Sequence, residues 1–245
     1  MSDSIRPADA GNERTTQTTG VHGVPLTATV PAGEFSAGIV VIQDALGVGD
    51  ALASATARLA ADGYLAVAPH LYHRVAEEPV TTFDEARPLM ASLNGPDMTH
   101  DIADARGYLD AAGIEPEHMG IVGFCMGGSV SLWQAASGDF AASVTFYGGG
   151  VSKARWKGVP SGLESGAALT CPWLGLYGDK DRSITVDEVE QLRGVVGATG
   201  LPTSIVRYAN AGHAFALDPQ SPNYVADSAA DAWGHALSWF DAHLR

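Results

Sequence analysis

Ile121-Val122-Gly123-Phe124-Cys125-Met126-Gly127-Gly128 is an apolar run that breaks into small residues, with one thiol at the break. The lead-in is strand-like, and the Ala/Ser/Leu-rich segment from Ser129 to Ala136 reads as a helix. A strand, a G-x-C-x-G-G turn and a helix form the pattern of a nucleophile elbow. In such a turn the reactive side chain sits on strained backbone, and only small neighbours let strand and helix approach closely. A thiol is a weak nucleophile until it loses its proton. A working Cys125 therefore needs a base, a group to orient that base and donors for an oxyanion.

Outward from the elbow, apolar strand patterns alternate with amphipathic helix patterns. Strands are expected at Val24 to Val30, Gly38 to Ile42, Tyr64 to Ala68, Ala142 to Tyr147, Trp173 to Tyr177 and Thr203 to Tyr208. Helices are expected after Asp50, around Asp84 to Leu93, and over Asp97 to Ala112, Thr185 to Val196 and Asn223 to His243. Val151 to Thr170 reads as a long loop carrying Lys153, Arg155, Trp156 and Lys157, and loops of that length in compact domains tend to be functional or mobile. The alternation implies βαβ crossovers, hence an α/β fold with a mostly parallel central sheet and helices on both faces. Residues 1–19 read as a flexible N-terminal tail and 20–245 as a single domain.

Composition narrows the function. Fourteen basic residues against 28 acidic ones give a net charge of −14, which disfavours nucleic acid and anionic membrane surfaces as partners. No apolar stretch is long enough for a membrane span, and Met1 to Gly20 has no apolar core of a secretory signal, so a cytoplasmic protein is expected; monomer and homodimer both stay open. Cys125 and Cys171 form no disulfide framework, and Cys171, before Pro172 at the start of a strand, reads as a buried filler.

In open parallel sheets reactive groups gather at the carboxyl ends of the strands. Asp44, Arg74, Cys125, Asp181 and His213 each follow an expected strand and should converge on one edge. Cys125, Asp181 and His213 also occur in the order nucleophile, acid, histidine, which is the α/β-hydrolase order. Asp179, two residues before Asp181, is the other candidate orienter. Hydrolases of this fold build the oxyanion hole from the residue after the nucleophile and from a loop after an earlier strand, here Met126 and Ala45.

The G-F-C-M-G-G elbow, the G-x-x-D and G-H-A-F segments and the P-H-L-Y-H-R stretch together resemble the dienelactone hydrolase (carboxymethylenebutenolidase) family over roughly residues 20–245. The resemblance implies an α/β-hydrolase fold and cofactor-free hydrolysis of a small lactone or ester by a Cys-His-Asp triad through a thioester. Cys125 would be the nucleophile, His213 the base and Asp181 its orienter. A family carboxylate that interacts with the resting thiol, usually Glu, falls on Asp44, one methylene shorter. Arg74 matches an arginine that binds a substrate carboxylate, whereas a second such arginine falls on Leu217. Losing one of two cations points to a substrate less acidic than dienelactone.

Three other readings compete. His70-x-x-His73 near His100-Asp101 has a spacing that would suit a metal, but no close third ligand is evident, and no metal is expected. Cys125 as a redox-sensing thiol lacks a resolving cysteine nearby in sequence. A non-hydrolytic ligand receptor on a hydrolase fold has no need of a full triad.

Overall fold

The apolar segments around the elbow become the middle of one sheet. The computed structural model describes residues 13–76 and 79–245. Its strands are β1 (Arg14–Thr19), β2 (Pro25–Val30), β3 (Gly38–Ile42), β4 (Leu65–Pro69), β5 (Met119–Phe124), β6 (Ala142–Phe146), β7 (Trp173–Gly178) and β8 (Thr203–Tyr208). They lie side by side in the order β1-β2-β4-β3-β5-β6-β7-β8. From β4 to β8 every neighbour is parallel, and β1 and β2 add an antiparallel edge.

Alternation along the buried strands assigns side chains to two cores, because successive residues point to opposite faces. Ile39, Val41, Val122 and Phe124 join one cluster, together with Leu52, Ala55 and Leu59 of α1 (Asp50–Ala61) and Trp233, Ala236 and Phe240 of α7 (Ala226–Leu244). Val40, Ile42 and Ile121 face the other, with Met98, Ile102, Ala105 and Leu109 of α3 (Gly95–Ala111). The remaining helices are α2 (Phe83–Ser92), α4 (Met126–Gln134), α5 (Gly162–Ala167) and α6 (Val186–Gly197). Among the described residues no helix is long and apolar enough to cross a membrane.

Three sequence expectations change. The expected tail over 1–19 falls partly outside the described residues, but Arg14–Thr19 is not loose: it pairs in register with β2, from Arg14 opposite Val30 to Thr19 opposite Pro25. Its R-T-T-Q-T-T run is polar because an edge strand buries little, and its turn is anchored from elsewhere. The wholly buried Asp104 accepts hydrogen bonds from the backbone N–H groups of His22 (2.9 Å) and Val24 (3.1 Å). The loop from Val151 to Thr170 contains α5, opened by a capping box in which Ser161 and Glu164 satisfy each other's backbone N–H. Lastly, α4 starts at Met126 rather than Ser129, because the chain turns directly from Cys125 into the helix.

Candidate active site

At the elbow Cys125 holds φ 56° and ψ −112°, a conformation a side chain rarely adopts. Tertiary contacts impose it. The Cys125 N–H donates to the Phe146 carbonyl of β6 at 3.1 Å, and α4 lies so close to β5 and β3 that a Cβ has no room. On Gly123 it would overlap the Gly127 carbonyl, and on Gly127 it would fall 2.5 Å from the Ile42 carbonyl oxygen. The glycines around the thiol are thus a steric requirement of the turn.

The imidazole beside the thiol arrives from the far end of the chain. His213 Nε2 lies 3.1 Å from Cys125 Sγ, and His213 Nδ1 lies 2.6 Å from Asp181 Oδ2. The other Asp181 oxygen accepts from the Ser183 N–H and hydroxyl, both at 2.7 Å, and from the Ile184 N–H at 3.2 Å. The loops after β7 and β8 are tied together by the Lys180 N–H donating to the Ala211 carbonyl at 2.9 Å, which keeps acid and imidazole adjacent. Tyr147, at φ 41° just past β6, packs its buried ring edge-on to His213 with centroids 5.3 Å apart.

Electrostatics follow from these contacts. Burial alone pushes the His213 imidazole down, but hydrogen bonds to Asp181 and Cys125 and their charges push it up to about 10. Burial raises the Asp181 carboxyl, and the His213 and Ser183 donors outweigh it, holding Asp181 below the usual carboxylate value. Burial raises the Asp44 carboxyl, as does the neighbouring Asp218, against the Leu46 N–H it accepts at 2.8 Å and the pull of His213. Burial, with Asp44 and Cys125 beside it, pushes the Tyr147 hydroxyl well above the ordinary tyrosine value.

Asp44, Ala45, Cys125 and His213 all border one cavity of about 710 Å³. Met126 opens α4, so its N–H is among those without an intrahelical acceptor. A residue unremarked in the sequence joins the two elements: the Tyr72 hydroxyl donates to the Ala45 carbonyl at 3.1 Å and lies 3.3 Å from Met126 Sδ.

Arg74, expected to hold a substrate carboxylate, lies away from this cavity. Its guanidinium forms a two-point pair with Asp101, at 2.7 Å for each contact, and it does not border the cavity. Asp101 sits on α3 with 1% of its side chain exposed, so a buried carboxylate close by takes the cation. Arg155, from the loop after β6, borders the cavity instead. Asp179 is held by Arg207 at 2.8 and 3.0 Å rather than by the histidine. His70 and His73 diverge, the first to the Thr27 hydroxyl at 2.8 Å and the second to Asp101 at 3.4 Å. Cys171 is buried beside the Ala135 carbonyl, and burial pushes its thiol up to about 12.

A mostly parallel eight-stranded sheet with an antiparallel edge, and a nucleophile-type turn between a central strand and its helix, define an α/β-hydrolase fold. The sequence profile of the dienelactone hydrolase family matches residues 26–244, and the chain belongs to that family. It is 32% identical over 208 residues to the "Putative carboxymethylenebutenolidase" of Yersinia pestis, covering 84% of this chain and 78% of that protein. With the carboxymethylenebutenolidase of Rhodococcus opacus it shares 30% identity over 214 residues, 84% of this chain and 81% of the other. The crystal structure of a "Putative Dienelactone Hydrolase" from Klebsiella pneumoniae superposes with a TM-score of 0.76 at 28% identity, covering 94% of this chain and 99% of that one. The protein is a hydrolase acting on carboxylic ester bonds.

Proposed function

We propose that the protein hydrolyses a small-molecule ester or lactone through a thioester on Cys125. The observation that carries this reading is the relay from Asp181 through His213 to Cys125, with contacts of 2.6 and 3.1 Å. His213 takes the proton of the thiol, and the sulfur attacks the acyl carbonyl. Charge on the carbonyl oxygen is met by the N–H groups of Met126 and Ala45, the former reinforced by the positive end of α4. As the tetrahedral adduct collapses, the bond to the alkoxide or enolate breaks and His213 returns the proton to that leaving oxygen. Neutral again, His213 draws a proton from a water, which attacks the thioester. The carboxylic acid leaves and the thiol is restored.

Asp181 keeps the Nδ1 proton of His213 facing inward, leaving Nε2 for the chemistry. Asp44 borders the same cavity as Cys125, as a half-buried carboxyl whose pKa burial raises. A redox-relay reading has less support. Cys171 precedes β7 at the amino-end edge of the parallel strands, whereas Cys125 follows β5 at the carboxyl-end edge.

The test is turnover of p-nitrophenyl acetate before and after alkylation with iodoacetamide, beside the Cys125→Ala variant. Alkylation and substitution should each leave under a few per cent of the wild-type kcat/KM. Substantial residual turnover in Cys125→Ala would remove the sulfur from the mechanism.

A further inference from the structure

The cavity beside Cys125 is bounded by two kinds of surface. One is the catalytic edge of the sheet. The other is an apolar wall made by Pro79, Val80 and Phe83, before and at the start of α2, and by Met90 further along that helix. The Val80 N–H donates to the Leu46 carbonyl at 3.0 Å, which holds this wall to the loop after β3. Leu46 and Phe83, both bordering the cavity, keep 37% and 55% of their surface exposed. Leu217, four residues past His213, extends the apolar lining. At about 710 Å³ the space falls in the upper part of the roughly 300–1,000 Å³ range of pockets that enclose drug-sized ligands.

Charge around the opening is one-sided. Asp44, Asp50 and Asp218 border it, and Arg155 is the lone lysine or arginine among the described lining residues. The guanidinium of Arg74 is consumed by Asp101. The His213 imidazole is balanced by its contacts with Asp181 and Cys125, so three carboxyl groups face one guanidinium, on a protein of net charge −14, and disfavour an approaching anion.

We infer that the substrate is an uncharged ester with an apolar arm of several carbons, laid along Leu46, Val80, Phe83, Met90 and Leu217. The inference rests on the hydrolytic reading of Cys125 and specifies what that site takes. An anionic small lactone would leave the apolar wall unused and meet the carboxylates. An uncharged aliphatic or aryl arm would cover it.

The experiment compares kcat/KM for p-nitrophenyl acetate, p-nitrophenyl hexanoate and the mono-p-nitrophenyl ester of adipic acid, which matches the hexanoate in carbon count but ends in a carboxylate. Ethyl and hexyl acetate, followed in a pH-stat, probe the alcohol side. Hexanoate should exceed the adipate monoester by at least about tenfold, and lengthening one of the two arms should raise kcat/KM by about tenfold. In Phe83→Ala and Met90→Ala that length ratio should fall several-fold. Preference for the adipate ester, abolished by Arg155→Gln, would overturn the inference by making Arg155 an anion site. Indifference to length in both series would overturn it as well. Failure of the catalytic reading shows up separately, as ester turnover that survives in Cys125→Ala whatever the arm.

Discussion

His213 illustrates how far a single residue departs from its isolated chemistry. Its imidazole is pushed up to about 10 because Asp181 and Cys125 outweigh its burial. A folded-state value above the ordinary 6.5 contributes stability that is fully present below pH 6.5 and fades as pH rises through about 10. Asp181, held below its usual value, contributes in the opposite sense: its share is present at neutral pH and is lost as pH falls through its depressed folded-state pKa. An Asp181→Asn variant removes the largest favourable cause of the His213 shift. Its deficit in urea midpoint relative to wild type should therefore be clear at pH 7 and narrow towards pH 10. A gap that stays constant over that range would show that His213 titrates independently of its neighbour.

At the scale of elements, the antiparallel edge is where local pattern and final structure part most. β1 has a polar sequence and little burial, and its place depends on a carboxylate 80 residues away. Asp104 on α3 is fully buried and satisfies the N–H groups of His22 and Val24 in the β1–β2 turn. Asp104→Ala would leave those donors without their acceptor and should cost about 3 kcal/mol in urea-unfolding free energy. Because β1 and β2 are remote from the cavity lining, kcat/KM at a temperature well below the transition should change little. Limited proteolysis should cut first between β1 and β2. An unchanged urea midpoint would mean that the turn holds by pairing alone.

For the whole molecule, the dominant physical feature is charge. With 28 acidic and 14 basic residues, a long-range negative potential surrounds an opening that already carries three carboxylates. Salt contracts that field, since the Debye length falls from about 30 Å at 0.01 M to about 8 Å at 0.15 M. Raising ionic strength across that interval should increase kcat/KM for an anionic aryl ester several-fold while leaving that of its uncharged counterpart within about twofold. A salt response of equal size for both esters would locate the effect in folding or catalysis rather than in approach.

By itself the sequence determined the α/β-hydrolase class and the placing of Cys125, Asp181 and His213 after strand ends, because both are written in local chain properties. Buried parallel strands must be continuous apolar runs, helices must be periodic, and a strand-to-helix turn this tight must be built from glycine around Cys125. Which polar groups meet was decided by tertiary structure, since charge pairing depends on distance and burial that no spacing encodes. Asp181 is the acid of G-x-x-D, but Asp179 two residues earlier is a rival that the sequence leaves open; one lies at His213 and the other on Arg207. Arg74 follows a strand end as Cys125, Asp181 and His213 do, yet a buried Asp101 on α3 draws it off and leaves Arg155 on the cavity. An ion pair forms with whichever opposite charge the fold has already stripped of water nearby, and that neighbour is set by how helices pack on the sheet rather than by the order of residues along the chain.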